Sequence, residues 1–177
     1  YGVSDIVMVD SKGIVGRGRQ DLNKVKEDIL KITNPQSLEG DLEDALEEAD
    51  VFIGVSAPNI VTEKAIQKMA TNPIVFVLSN PDPEILPELA IKAGAAIIAT
   101  GRSDYPNQIN NCLVFPGIFR GALDVRCPKI TVDMKIAVAS ALAELVVEPS
   151  VDFIVPNSFD PSVVSAVSKA ITTIFNK

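Results

Sequence analysis

Apolar residues gather in four short, nearly unbroken runs at residues 5–9, 51–55, 74–78 and 95–99, each bounded by turn-forming residues. A half-exposed strand alternates apolar with polar positions, whereas a strand buried on both faces of a parallel sheet does not, so these runs predict buried parallel strands. Helical spacing fills the intervals. Leu22, Val25, Ile29 and Ile32 follow Asp21; Leu42, Ala45 and Leu46 follow Asp41; Ile66 and Met69 follow the candidate cap Thr62; a fourth pattern runs over residues 85–93. Strand alternating with helix is the pattern of right-handed βαβ crossovers, so the chain is read as α/β: a doubly wound parallel sheet with helices on both faces.

The pattern changes after Ala99. Residues 100–121 are rich in Gly, Asn and Pro and read as one long polar loop, of the kind that carries function more often than it merely connects. Two C-terminal helices follow. Thr131 caps the first, with Met134, Ala137, Val138, Ala141, Leu142 and Leu145 on one face; Asp160 and Pro161 open the second, with Val163, Val167, Ala170, Ile171 and Ile174 inward. The acidic stretch at residues 39–50 reads as a solvated helix face. No repeat or linker divides the 177 residues, so a single domain is expected.

Composition narrows the chemistry. Hydrophobic residues make up 47% and aromatics only 5%, so the core must be built from Val, Ile, Leu and Ala. The histidine count of 0 excludes a Ser-His-Asp or Cys-His nucleophile, histidine metal sites and an imidazole base. A net charge of -7 argues against nucleic acid, which is held by clustered Lys and Arg. Cys112 and Cys127 fit neither a disulfide scaffold nor a zinc site and suggest a reducing compartment, read as the cytoplasm. No apolar run approaches the roughly 20 residues that cross a bilayer, so no membrane partner is expected.

Ligands of open parallel sheets sit beyond the carboxyl ends of the strands. The first run ends in Asp10-Ser11-Lys12-Gly13, and in a Rossmann-like fold an acidic residue at such a strand end accepts hydrogen bonds from the adenosine ribose and repels a 2′-phosphate. An ordinary Asp turn is the alternative. The segment from Gly13 to Gln20 has the glycine spacing of a P-loop but carries Arg19 and Gln20 where Lys and Ser or Thr are needed, so it reads as a flexible connection. Ser56 and Ala57, after Gly54, leave room for a ligand beside the backbone. Asn80, between a strand end and two prolines, is either a fixed amide for a carboxylate or carboxamide or a helix-capping turn residue. The loop Gly101-Arg102-Ser103-Asp104-Tyr105-Pro106-Asn107-Gln108-Ile109-Asn110-Asn111 is too polar to be explained by packing alone.

Together, Val-Asp-Ser-Lys-Gly (9–13), Asp-Val-Phe-Ile-Gly-Val-Ser (50–56), Ser-Asn-Pro-Asp-Pro-Glu (79–84), Ala-Thr-Gly-Arg-Ser-Asp-Tyr-Pro-Asn-Gln-Ile-Asn-Asn (99–111) and Phe-Pro-Gly-Ile-Phe-Arg-Gly-Ala-Leu-Asp (115–124) resemble the cofactor-binding domain of bacterial and archaeal malic enzymes. The resemblance covers nearly the whole chain. It implies oxidative decarboxylation of L-malate to pyruvate and carbon dioxide, with reduction of NAD, or NADP as the alternative, and with Mg or Mn. Asp10 and Ser11 would meet the ribose, and Ser56 and Ala57 the cofactor. Asn80 would lie between nicotinamide and malate, and Asn110 or Asn111 would hold a malate carboxylate.

The same resemblance implies that the first strand, its Gly-rich loop, the catalytic tyrosine and lysine and the acidic metal ligands precede Tyr1. Residues 1–177 would then be a dinucleotide-binding domain truncated at its N-terminal side, holding no catalytic residue and no metal ligand and inactive alone. The intact protein would be a homo-oligomer, expected to be a dimer. Two rival readings are an inert nucleotide-binding or subunit-interaction module, and another NAD-dependent dehydrogenase of the shikimate or amino-acid type.

Overall fold

The computed structural model describes residues 2–176; Tyr1, where the truncation is expected, lies outside them. The elements run β1 (Val9–Asp10), β2 (Gly13–Ile14), α1 (Lys24–Ile29), α2 (Leu42–Leu46), β3 (Val51–Gly54), α3 (Glu63–Gln67), β4 (Ile74–Val77), α4 (Pro87–Ala93), β5 (Ile97–Thr100), a 3-10 turn (Asn111–Leu113), α5 (Phe115–Asp124), α6 (Val132–Glu144) and α7 (Pro161–Phe175). β3, β4 and β5 form a parallel sheet in that order, with Val51 opposite Ile74 and Ile74 opposite Ile97. The three later apolar runs thus become parallel strands, as they predict, although β3 is buried on one face and not on both. Their buried face carries Phe52, Val75, Val77 and Ile98 against Ile66 of α3, Met69 just after it, and Ala90 and Ala93 of α4. Each Val or Ile fully buried in this way contributes about 1.5–3 kcal/mol before entropy is counted. On the opposite face of β3, Val51 and Ile53 remain exposed.

The run at residues 5–9 departs from expectation. Only Val9 and Asp10 are strand, and they pair antiparallel with β2 across a tight turn instead of joining the parallel sheet. In a doubly wound sheet the strand ending in the ribose carboxylate lies beside the strand preceding it in sequence. Lacking such a neighbour among the described residues, this segment bonds to the loop segments around it: Met8 C=O accepts from Val15 N–H at 2.7 Å and Ile6 C=O from Asn34 N–H at 2.7 Å. The glycine segment after it is also more ordered than a flexible connection. Ile14 N–H donates to Gly40 C=O at 2.8 Å, and Ile14, Val15 and Gly16 are buried.

Helix α1 is shorter than its apolar pattern and is capped by Asn23, not Asp21; Val25 and Ile32 point to solvent. Asp41 caps α2 in a reciprocal capping box, and Thr62, Thr131 and Asp160 cap α3, α6 and α7 as the sequence predicts. The stretch 100–121 is a loop only as far as Asn110, because α5 begins at Phe115. Its glycines are the reason the sequence misleads: a Cβ on Gly117 would lie 2.5 Å from Val167 Cβ, and one on Gly121 2.7 Å from Ser168 O. These residues are helical contact points that let α7 approach the α5 backbone. Behind them Met134, Val138, Val163, Val167 and Ile171 form a second apolar cluster.

Candidate functional site

Because β3, β4 and β5 run parallel, their carboxyl ends lie along one edge of the sheet. Ser56 and Ala57 follow β3 and are exposed, and Asn80 follows β4 with its side chain exposed. The Asn80–Pro81 peptide is cis. Asn80 caps no helix: α4 is entered through Leu86, without a side-chain cap. Its amide therefore stands at the strand end in an open position, where an orienting group would be needed.

Glu84, three residues beyond Pro81, is completely buried. Its Oε1 accepts from Ser56 N–H at 3.0 Å and its Oε2 from Ser79 N–H at 3.1 Å. Sequence reasoning assigned it no role. The available signal was a glutamate set between Pro83 and the apolar pair Ile85-Leu86.

The long loop folds back over the end of β5, with Ile109 N–H donating to Thr100 C=O at 2.8 Å. Its amides divide into two kinds. Asn107 is buried, donates to Ile98 C=O at 3.0 Å and Val151 C=O at 2.8 Å, and accepts from Ile154 N–H at 2.9 Å, so it ties the loop to β5 and to residues 151–154. Asn110 accepts from Cys112 N–H at 3.1 Å and donates to Gly101 C=O at 3.2 Å, which fixes the 3-10 turn. Asn111 is the exposed first residue of that turn. Part of the loop's polarity is thus structural. Arg102 is likewise engaged, forking onto Asp104 at 2.9 and 2.7 Å while lying 5.4 Å over the Tyr105 ring.

Asp10 belongs to a separate two-stranded sheet, the β1–β2 hairpin, with Ser11 exposed in the turn. Its Oδ1 accepts from Lys12 N–H and Arg19 at 2.8 Å each, and its Oδ2 from Arg19 at 3.0 Å and from Lys26. These contacts, Arg19 first and then Lys26, hold its carboxyl well below the usual carboxylate range. Asp21 is drawn down in the same way by Arg19 and Lys12. The cations that the sequence brings nearest, Lys12 and Arg17, are directed elsewhere: Lys12 pairs with Asp21 at 2.9 Å, and Arg17 donates to Ser37 Oγ at 3.2 Å. Two concavities, of about 420 and 230 Å³, are both lined by Arg19, the first with Leu22, Glu27 and Leu30 and the second with Ile14, Gly16 and Gly40.

Among the described residues no group of three or more His, Cys, Asp or Glu is placed to hold a metal ion, and no helix is long and apolar enough to cross a membrane.

Residues 2–174 match the family profile described as "Malic enzyme, NAD binding domain". The chain is 52% identical over 174 residues to the bifunctional malic/malolactic enzyme of Bacillus subtilis, covering 97% of this chain and 42% of that protein. It is 45% identical over 184 residues to an NADP-dependent malic enzyme of Halomonas elongata, covering 94% and 43% respectively. The crystal structure of an NAD-dependent malic enzyme from Thermotoga maritima superposes with a TM-score of 0.91 at 49% identity, over 97% of this chain and 45% of that one. The chain therefore spans less than half the length of these relatives.

Proposed function

The chain belongs to the malic enzyme family as its NAD-binding domain, and on that premise we propose that the full-length protein oxidatively decarboxylates L-malate to pyruvate and carbon dioxide while reducing NAD(P). The observation that carries this reading is the carboxyl end of the sheet, where Ser56 and Ala57 after β3 and Asn80 after β4 are exposed, together with the loop after β5, in which Asn111 is exposed and makes no side-chain hydrogen bond among the described residues while Asn107 and Asn110 are bonded to backbone. Small residues at one strand end and an uncommitted amide at the next suit a nicotinamide ring and a carboxylate. A bound nicotinamide dinucleotide supplies a hydride acceptor.

In this reading Ser56 and Ala57 wall the cofactor, and Asn80 orients malate against it. Asn111, not Asn110, takes a malate carboxylate, because the Asn110 amide is already bonded at both ends. Neutral amides orient the anion without a strong ion pair that would oppose its departure as carbon dioxide. Asp10 and Ser11 take the adenosine ribose, beside the concavities at Arg19. NAD is the favoured cofactor, but Arg19 and Lys26 offset much of the Asp10 charge, so the preference over NADP is small.

The described residues do not fit a divalent-metal site. We place the Mg or Mn ligands, the catalytic acid and base, and the strand and Gly-rich loop that complete the sheet in the remainder of the protein. A homodimer in a reducing, cytoplasmic compartment completes the proposal. The free thiols of Cys112 and Cys127 agree with the compartment, and the apolar stripe Phe115, Phe119 and Leu123 on the outer side of α5 agrees with a covering partner.

Purified full-length protein should form NADH or NADPH when L-malate and Mg²⁺ or Mn²⁺ are added, and the 177-residue chain alone should not. Dinucleotide binding by the full-length protein without malate-dependent reduction would overturn the enzymatic reading in favour of an inert nucleotide-binding module.

A further inference from the structure

Between β3 and β4 the last backbone bond is that from Leu78 N–H to Gly54 C=O, at 3.0 Å. Beyond it the strands part and two further amides, Ser56 N–H and Ser79 N–H, need acceptors. Ser79 is buried, and a buried backbone N–H left unpaired costs about 1–3 kcal/mol, so an acceptor is required there. Glu84 supplies one carboxyl oxygen for each strand. The space it occupies exists because residue 54 is glycine: a Cβ there would lie 2.5 Å from Glu84 Cδ. The backbone around Glu84 closes the same arrangement, with Pro83 C=O accepting from Asn59 N–H at 3.1 Å and Glu84 C=O from Val61 N–H at 3.0 Å. Both segments leaving the sheet are thereby fastened to one side chain.

We infer that Glu84 is a positioning residue for this site: its buried carboxyl sets the separation of the Ser56 and Asn80 segments, and Gly54 is its steric counterpart. The inference rests on the proposed function for the identity of the ligands, and on geometry for the rest. Glu84 touches neither substrate nor cofactor; it acts through Ser56 on the cofactor side and through Ser79 and its neighbour Asn80 on the malate side. Its size also explains why a shorter acceptor would not serve, since it reaches the gap from the far end of the Pro-Asp-Pro turn.

The test uses the full-length protein and four variants: E84A, E84Q, G54A and G54A/E84A. Thermal unfolding establishes folding, NADH fluorescence gives the dinucleotide Kd, and steady-state kinetics give kcat and KM for malate. E84A should weaken NADH binding and lower malate kcat/KM, each by roughly tenfold. E84Q should recover part of both losses, because it keeps the length and one acceptor oxygen while turning an N–H₂ toward the other amide. G54A should act in the same direction as E84A, yet add nothing in the E84A background, where the atoms it would strike are gone. Folded E84A with wild-type constants would overturn the inference, as would additive effects of G54A and E84A. If E84A does not fold, wild-type constants in E84Q overturn it equally. If the unaltered protein binds NADH but does not oxidise malate, the proposed reaction fails, while the NADH constants of the variants still decide the role of Glu84.

Discussion

Two carboxyl groups stand at strand ends in this domain and are held in opposite ways. Asp10 lies in a small hairpin with a fifth of its side chain exposed, surrounded by Arg19, Lys26 and the Lys12 amide. Glu84 is wholly buried at the end of the main sheet and is satisfied only by backbone N–H groups. The first arrangement is electrostatic and adjustable, since water and ligand can compete for each contact. The second is steric and fixed, because the atoms nearest the place of a Cβ on Gly54 are all those of Glu84. In the proposed reading, the difference teaches that the two ends of a dinucleotide would be treated unequally: charge balance at the ribose end, rigid backbone placement at the reacting end.

The largest effects that would sharpen this contrast belong to the adjacent amides of the loop. In the full-length protein Asn111→Ala should lower kcat/KM for malate by about ten- to a hundredfold, as expected for a lost hydrogen bond to a charged group, with little change in thermal stability. Asn110→Ala should do the reverse. It removes a cap and should cost about 0.5–2 kcal/mol of stability while sparing malate kinetics in the folded protein. Equal kinetic losses from both would erase the distinction between a committed and an available amide.

A smaller effect concerns acid. The folded-state carboxyl of Asp10 titrates well below its unfolded value of about 3.9, so its contacts with Arg19 and Lys26 add stability at every pH above that value and lose it as pH falls through the folded one. Urea unfolding of wild type and Asp10→Asn should therefore differ at pH 7 and converge toward pH 2. A gap that persists undiminished in acid would show that the hairpin is not held by charge.

The sheet was legible in the sequence, because unbroken apolar runs bounded by turn residues leave few alternatives to parallel strands. Ser56, Ala57 and Asn80 are accordingly exposed where the reading put them. The run at residues 5–9 does not join the parallel sheet, because apolar character reports that a segment can be buried in a sheet, not which strand it pairs with. Gly117 and Gly121 read as loop residues because glycine signals a turn and a close helix contact alike. The partners of Asp10 were hidden by distance along the chain. Arg19 and Lys26 reach it from 9 and 16 residues away, whereas nearby Lys12 and Arg17 bind other groups. Glu84 escaped notice since a buried carboxyl has no sequence signature beyond its apolar and proline neighbours.

The division of labour between the two ends is tested most directly by crossing two variants of the full-length protein, Asn80→Ala and Asp10→Ala, in one kinetic experiment with malate and both cofactors. Asn80→Ala should reduce malate kcat/KM by about tenfold or more while leaving the ratio of NAD to NADP efficiency unchanged. Asp10→Ala should leave the malate KM unchanged but free Arg19 and Lys26 for a 2′-phosphate, shifting that ratio toward NADP by roughly tenfold. An Asp10→Ala ratio equal to wild type, together with an Asn80→Ala malate constant equal to wild type, would contradict the account.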